Sequence, residues 1–198
     1  NVECDSNNLV QFAVMGEVYA RNELGLSQPS VGILNVGVEG LKGNDSVRDA
    51  AAILTDSDLP LEFYGFVEGD DIGKGTVDVI VTDGFTGNIA LKTAEGTAQM
   101  IVYFLKNALK SSILSKAGAL LARPAIEKFR SHFDPRRYNG ALLLGLNGIC
   151  VKSHGGTDEV GFAHAIQVGV NLVRRDLNEV IKEDMASVMI EPSQSIIE

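Results

Sequence analysis

The stretch Val77-Asp78-Val79-Ile80-Val81-Thr82-Asp83-Gly84-Phe85-Thr86-Gly87-Asn88 decides the fold. Its first five residues are mostly β-branched and apolar, the pattern of a short buried strand. The next seven form a turn with two glycines and polar capping groups, and a helix is predicted from Ile89 to about Lys110. Strand, glycine turn and helix start in immediate succession are the units of a parallel α/β sheet.

The same unit recurs on both sides. Upstream, a strand at Val31–Val36 runs into Gly37-Val38-Glu39-Gly40-Leu41-Lys42-Gly43-Asn44, and a helix follows from about Asp45 to Leu54. Downstream, a strand at Gly148–Ser153 runs into His154-Gly155-Gly156-Thr157-Asp158, with one long helix expected from Glu159 to Lys182. Asn8 is read as the N-cap of a first helix reaching Leu24, and Leu61–Val67 as another strand. The alternation predicts a three-layer α/β/α fold on a mainly parallel sheet. Residues 1–185 are assigned to one domain, from which a helical segment, 100–138, protrudes. Residues 186–198 are expected to form a tail.

The 198 residues carry a formal net charge of −9, which excludes a general nucleic-acid-binding surface. The charge is uneven. Between Lys106 and Arg137 eight basic residues face two acidic ones, a local +6 that leaves −15 for the rest. Cys4 and Cys150 are far apart and do not have metal-site spacing. No run of about 20 apolar residues reads as a membrane span, so the cytoplasm is the expected compartment. The sequence begins at Asn1 without Met, as expected of a truncated or processed chain.

In a parallel sheet the three glycine turns are expected on one edge, at the carboxyl ends of the strands. Glycine lets the backbone approach a ligand, and a helix start offers unpaired N–H groups and partial positive charge. Together they suit an anion, most simply phosphate. The opposing reading is that these turns are ordinary connectors with ordinary caps. Lys42, between two glycine-containing steps, is either a counter-charge for phosphate or a solvated loop lysine. Asn88 can donate to a carbonyl oxygen or cap its helix. His154 can act as an acid, as a donor or as a structural group. Gly43, Asn44, Gly84, Thr86, Gly87 and Gly155 complete the candidate binding set.

Gly69-Asp70-Asp71-Ile72-Gly73-Lys74-Gly75-Thr76 only imitates a P-loop. Its spacing is one residue short, Gly75 separates Lys74 from Thr76, and a strand follows instead of a helix. There is no Gly-x-Ser-x-Gly elbow, no His-Glu-x-x-His and no Gly-x-Gly-x-x-Gly. No cofactor or metal is therefore called for. A chain without an evident nucleophile needs a substrate that is itself nucleophilic, and phosphate qualifies.

Lys42-Gly43-Asn44 after Leu34-Asn35-Val36-Gly37, and Asp83-Gly84-Phe85-Thr86-Gly87-Asn88 followed by Leu91-Lys92-Thr93-x-Glu95-Gly96, resemble the PlsX family of bacterial phosphate acyltransferases. Gln11-Phe12-Ala13-Val14-Met15-Gly16 and Lys152-Ser153-His154-Gly155 fit the same family, and the likeness extends from Asn1 to about Lys182. The resemblance implies transfer of an acyl group from acyl-(acyl-carrier protein) to inorganic phosphate, for phospholipid synthesis. It also implies a fold similar to isocitrate and isopropylmalate dehydrogenases, a homodimer, and peripheral contact with the membrane. Lys42 and Asn88 are then the expected catalytic residues. Members of that family are longer at the N-terminus, so the first strands and helices are expected to be absent here.

The basic segment holds Ile113-Leu114 and Ala117–Ala122, flanked by Lys116 and Arg123. An apolar tip carrying Leu120 and Leu121, rimmed by Lys116, Arg123, Arg136 and Arg137, suits an anionic membrane or the acidic carrier protein. A hairpin buried in a dimer interface is the plainer alternative. Two rival functions stand beside the acyltransferase: a non-catalytic membrane-docking scaffold, and an NAD- and metal-dependent decarboxylating dehydrogenase suggested by His154-Gly155 with Asp158.

Overall fold

The computed structural model describes residues 1–132 and 139–188. Arg136 and Arg137, and residues 189–198 of the expected tail, lie outside the described residues.

The chain begins with helix α1, Ser6–Glu23. Its N-cap is Asp5, not Asn8. The Asp5 carboxylate accepts from the Asn8 N–H (2.8 Å) and the Asn8 side chain accepts from the Asp5 N–H (3.3 Å). This reciprocal box satisfies two orphan donors, which a cap at Asn8 alone would not do. Strand β1 (Ser30–Leu34), helix α2 (Asp45–Asp56), strand β2 (Glu62–Val67), the short helix α3 (Asp71–Lys74) and strand β3 (Val79–Val81) follow. The three strands form one parallel sheet in the order β2-β1-β3. Val31 pairs with Phe63 on one side and Val79 on the other.

Helix α4 spans Gly84–Lys110 and begins five residues before the predicted Ile89. Asp83 is its N-cap, accepting from the Thr86 N–H (2.8 Å) and hydroxyl (2.7 Å). That cap outweighs the poor helix propensity of Gly84 and Gly87. Helices α5 (Ile113–Leu121) and α6 (Arg123–His132) continue the arm. None of α4's 27 residues is buried, and among the described residues α4 packs closely only on α5.

The predicted strand at Gly148–Ser153 is a two-residue piece, β5 (Val151–Lys152), paired antiparallel with β4 (Ala141–Leu142). It does not join the parallel sheet. Val151 is instead held against the next helix, α7 (Glu159–Arg174): a Cβ on Gly169 of that helix would lie 3.6 Å from Val151 Cγ2. The expected single last helix is also two. Asp176 takes a left-handed conformation (φ 53°), which Asp tolerates better than most residues, and α8 (Leu177–Val188) turns back onto α1.

The fold is thus α/β, with a small parallel sheet and an accessory antiparallel pair. Two cores meet on α1. Leu9, Val10 and Ala13 pack with Val31, Ile33, Ala50 and Leu54 of the sheet and α2. Val14, Met15 and Val18 pack with Leu172, Leu177 and Ile181 of α7 and α8. Gly16 lets α1 lie close to the sheet, since a Cβ there would sit 2.8 Å from Val79 Cγ1. Replacing a helical Gly by Ala gains up to about 1 kcal/mol of propensity, while overpacking a core costs roughly 1–3 kcal/mol. Gly16→Ala is therefore expected to lower stability, read as an earlier urea midpoint at unchanged slope. A later midpoint would show that the sheet can give way.

Candidate functional site

The loops after β1 and β3 leave neighbouring parallel strands at the same edge, so the starts of α2 and α4 converge. Between them lies a cleft of about 400 Å³. Asn44, Ser46 and Val47 line one side, Asp83, Phe85 and Thr86 the other, and residues 2–4 close it. The structure therefore brings Asn44 and Thr86 together. Lys42, Gly43, Gly84, Gly87 and Asn88 lie on the same two segments without lining the cleft. His154 and Gly155 do not line it either, because their turn follows β5 and not the parallel sheet.

The polar groups at the two helix starts are in different states. At α4, Asp83 occupies the Thr86 N–H, and the Gly84 N–H donates to the Asn1 carbonyl (2.6 Å). Burial pushes the Asp83 carboxyl up, but the N–H and hydroxyl of Thr86 and other nearby backbone N–H groups outweigh it and hold the group below the ordinary Asp range. At α2, Asn44 caps the Val47 N–H (2.9 Å), and the N–H groups of Asp45 and Ser46 have no partner among the described residues. Ser46, with a free N–H and a hydroxyl at the cleft, is a donor that sequence reading missed. Its signal was its place two residues after the N-cap in the Lys42-Gly43-Asn44 unit.

Lys42 is exposed, and its stem folds over Gly37: a Cβ there would be 3.1 Å from Lys42 Cγ. Its ammonium has no hydrogen bond or ion pair among the described residues. Asn88 is exposed inside α4 and caps nothing, so the capping alternative falls away and its amide stays unengaged. His154 Nδ1 accepts from the Gly156 N–H (3.2 Å), which leaves Nε2 as the nitrogen bearing hydrogen in the neutral ring.

The turn at His154 has an anchor of its own, also missed from sequence. Asn139 is buried at 7% exposure. Its amide donates to Ser153 Oγ (2.9 Å) and the Gly161 carbonyl (2.7 Å), and its oxygen accepts from the His154 N–H (2.8 Å). A further cleft of about 460 Å³ lies at the opposite sheet edge, near Gln28 and Leu59. Its charges satisfy one another, because Arg21 bridges Glu17 (3.0 Å) and Asp184 (2.5 Å). It reads as a structural tie between α1 and α8.

Fold and cleft define an α/β protein in which two helix starts share one crevice at the carboxyl edge of a parallel sheet. The sequence model described as fatty acid synthesis protein matches residues 1–180, and the chain belongs to that family. It is 61% identical over 193 residues to a protein named phosphate acyltransferase from Rhodospirillum rubrum, covering 98% of this chain and 55% of that protein. It is 62% identical over 197 residues to the phosphate acyltransferase of Paramagnetospirillum magneticum, covering 98% of this chain and 56% of the relative. The chain thus spans about half the length of these relatives. The PlsX resemblance carried by residues 42–44 and 83–96 agrees with these matches.

Asn139→Ala removes three strong bonds and leaves the His154 N–H without its acceptor. A buried unsatisfied group costs about 1–3 kcal/mol. The variant should lose roughly that much or more in denaturant unfolding, and amide exchange should quicken at residues 153–157. Unchanged exchange there would show that the turn holds itself.

Proposed function

We propose that the protein carrying this chain transfers an acyl group from acyl-(acyl-carrier protein) to inorganic phosphate, yielding acyl phosphate for phospholipid synthesis. The observation that carries this reading is the convergence of the α2 and α4 starts on one cleft, in a chain whose near relatives are named phosphate acyltransferases. The three-layer, isopropylmalate dehydrogenase-like arrangement and the homodimer belong to the same proposal.

In this mechanism phosphate rests against the Lys42-Gly43-Asn44 turn and the free N–H groups of Asp45 and Ser46. The Gly84-Phe85-Thr86-Gly87 turn forms the facing wall. Lys42 supplies the counter-charge, and its unpaired ammonium is free to do so. A phosphate oxygen attacks the thioester carbonyl carbon, and the carbonyl electrons move to oxygen. The Asn88 amide, unengaged within the chain, donates to that oxyanion. Collapse breaks the C–S bond and forms acyl phosphate. The departing thiolate takes a proton from water, because the turn of His154 and Gly155 does not line the cleft. Residues 1–4 must shift for an anion to reach the α4 start, since Asn1 holds the Gly84 N–H.

Losing one oxyanion donor typically costs about 10²–10³ in rate. Lys42→Ala and Asn88→Ala should each lower phosphate-dependent thiol release by at least that factor while leaving circular dichroism unchanged. Near-normal turnover in both would refute the assigned roles.

The tip of the α4–α6 arm is proposed to meet an anionic membrane. Leu120 and Leu121 are 69% and 84% exposed, with Lys116 and Arg123 beside them. No helix among the described residues is long and apolar enough to cross a bilayer. Apolar tips with a cationic rim bind at the interface instead. Leu120→Glu with Leu121→Glu should abolish flotation with phosphatidylglycerol vesicles. Undiminished flotation would transfer this surface to the carrier protein or to a second subunit.

A further inference from the structure

Three polar or charged side chains are buried among the described residues: Glu17, Asn35 and Asn139. Glu17 is neutralised by Arg21, and Asn139 serves the His154 turn. Asn35 stands at the end of β1, directly before the loop that carries Lys42. Its backbone N–H donates to the Val67 carbonyl (2.8 Å), which extends the strand pairing by one residue. Its side-chain oxygen accepts from the Val36 N–H (2.9 Å), and its amide donates to the Lys42 carbonyl (3.1 Å). Gly43 lies flat against the same side chain in a left-handed conformation (φ 88°), and a Cβ there would fall 2.2 Å from Asn35 Oδ1.

We propose that Asn35 is a positioning residue: its buried amide fixes the Lys42–Gly43 backbone, and so sets where the lysine and the α2 start meet phosphate. The proposal rests on the reading of this loop as the phosphate site. The remaining ties of the loop are weaker anchors. The Lys42 N–H donates to Glu39 O (2.9 Å) within the loop itself, and Arg48 reaches Leu41 O (3.4 Å) from an exposed position. Among the described residues, Asn35 alone links the loop by hydrogen bonds to the buried sheet edge, where water competes least for them. The side chain must both donate and accept at one place, which Asn does and Asp or Leu cannot.

The test uses Asn35→Asp, which keeps shape and acceptor but loses the donor, and Asn35→Ala, which loses both without adding charge. Each is made in the native protein and measured in two ways. Amide exchange at residues 37–44 should accelerate. The KM for phosphate should rise roughly tenfold, the factor that 1.4 kcal/mol represents, while the KM for the acyl donor stays within about twofold of its starting value. A side chain that only stabilised the fold would lower the active fraction, and with it kcat, and leave the phosphate KM in place. Unchanged exchange in both variants would overturn the proposal without touching the acyltransferase reading, which stands on Lys42→Ala. Faster exchange with an unmoved phosphate KM would also overturn it, because the loop would then be held by Asn35 to no catalytic end.

Discussion

Everything in this fold leans on α1, which is packed on two flanks at once. Leu9, Val10 and Ala13 face the parallel sheet and α2, while Val14, Met15 and Val18 face α7 and α8. Each fully buried aliphatic side chain is worth about 1.5–3 kcal/mol, so this single helix carries much of what joins the two cores. The constraint propagates to the cleft. With α1 pressed on Val79 through Gly16, β3 is held beside β1, and the two loops that leave those strands have no choice but to emerge side by side.

The convergence creates an electrostatic contrast. A helix start attracts anions through its unpaired N–H groups. At α4 those groups are already taken by Asp83 and by the Asn1 carbonyl, and the carboxylate is stabilised there in its charged form. At α2 the cap is a neutral Asn44, the first-turn carboxylate of Asp45 is paired with Arg48, and the N–H groups of Asp45 and Ser46 have no partner among the described residues. On the proposed function, a phosphate entering the cleft would be drawn to the α2 side, where Lys42 also sits. On the same proposal the α4 side would offer a neutral donor, Asn88, one turn further along.

Much of this was legible in the sequence because it depends on local chemistry. The β-branched run ending in Val79–Val81 and the apolar run after Pro29 form strands, and Asn44 caps its helix as its position suggested. The errors arose where a nearby partner decided the outcome. Asp83 caps α4 and absorbs two glycines that looked like a longer turn. Asp176 breaks a helix whose periodicity ran straight through it, because Leu177 and Ile181 bury themselves on α1 only if the chain reverses. The strand at Val151–Lys152 found an antiparallel partner ten residues upstream instead of the parallel sheet, and this removed the His154 turn from the shared edge. Asn35 and Asn139 were invisible as anchors, since nothing in their immediate sequence announces that they are buried.

The long helix α4 ties these features to the arm. It starts at the cleft with Gly84 and ends at Lys110, and 27 residues at 1.5 Å rise make a rod of about 40 Å. Along it Met100, Ile101, Tyr103 and Phe104 are all more than half exposed. A helix this apolar is not stable alone in water by propensity, so its outer half needs a covering surface of matching character. Whatever covers it, a second subunit or a lipid surface, also fixes the direction of the axis whose first turn borders the cleft. A contact along this outer half would be linked to order at the α4 start through one continuous helix.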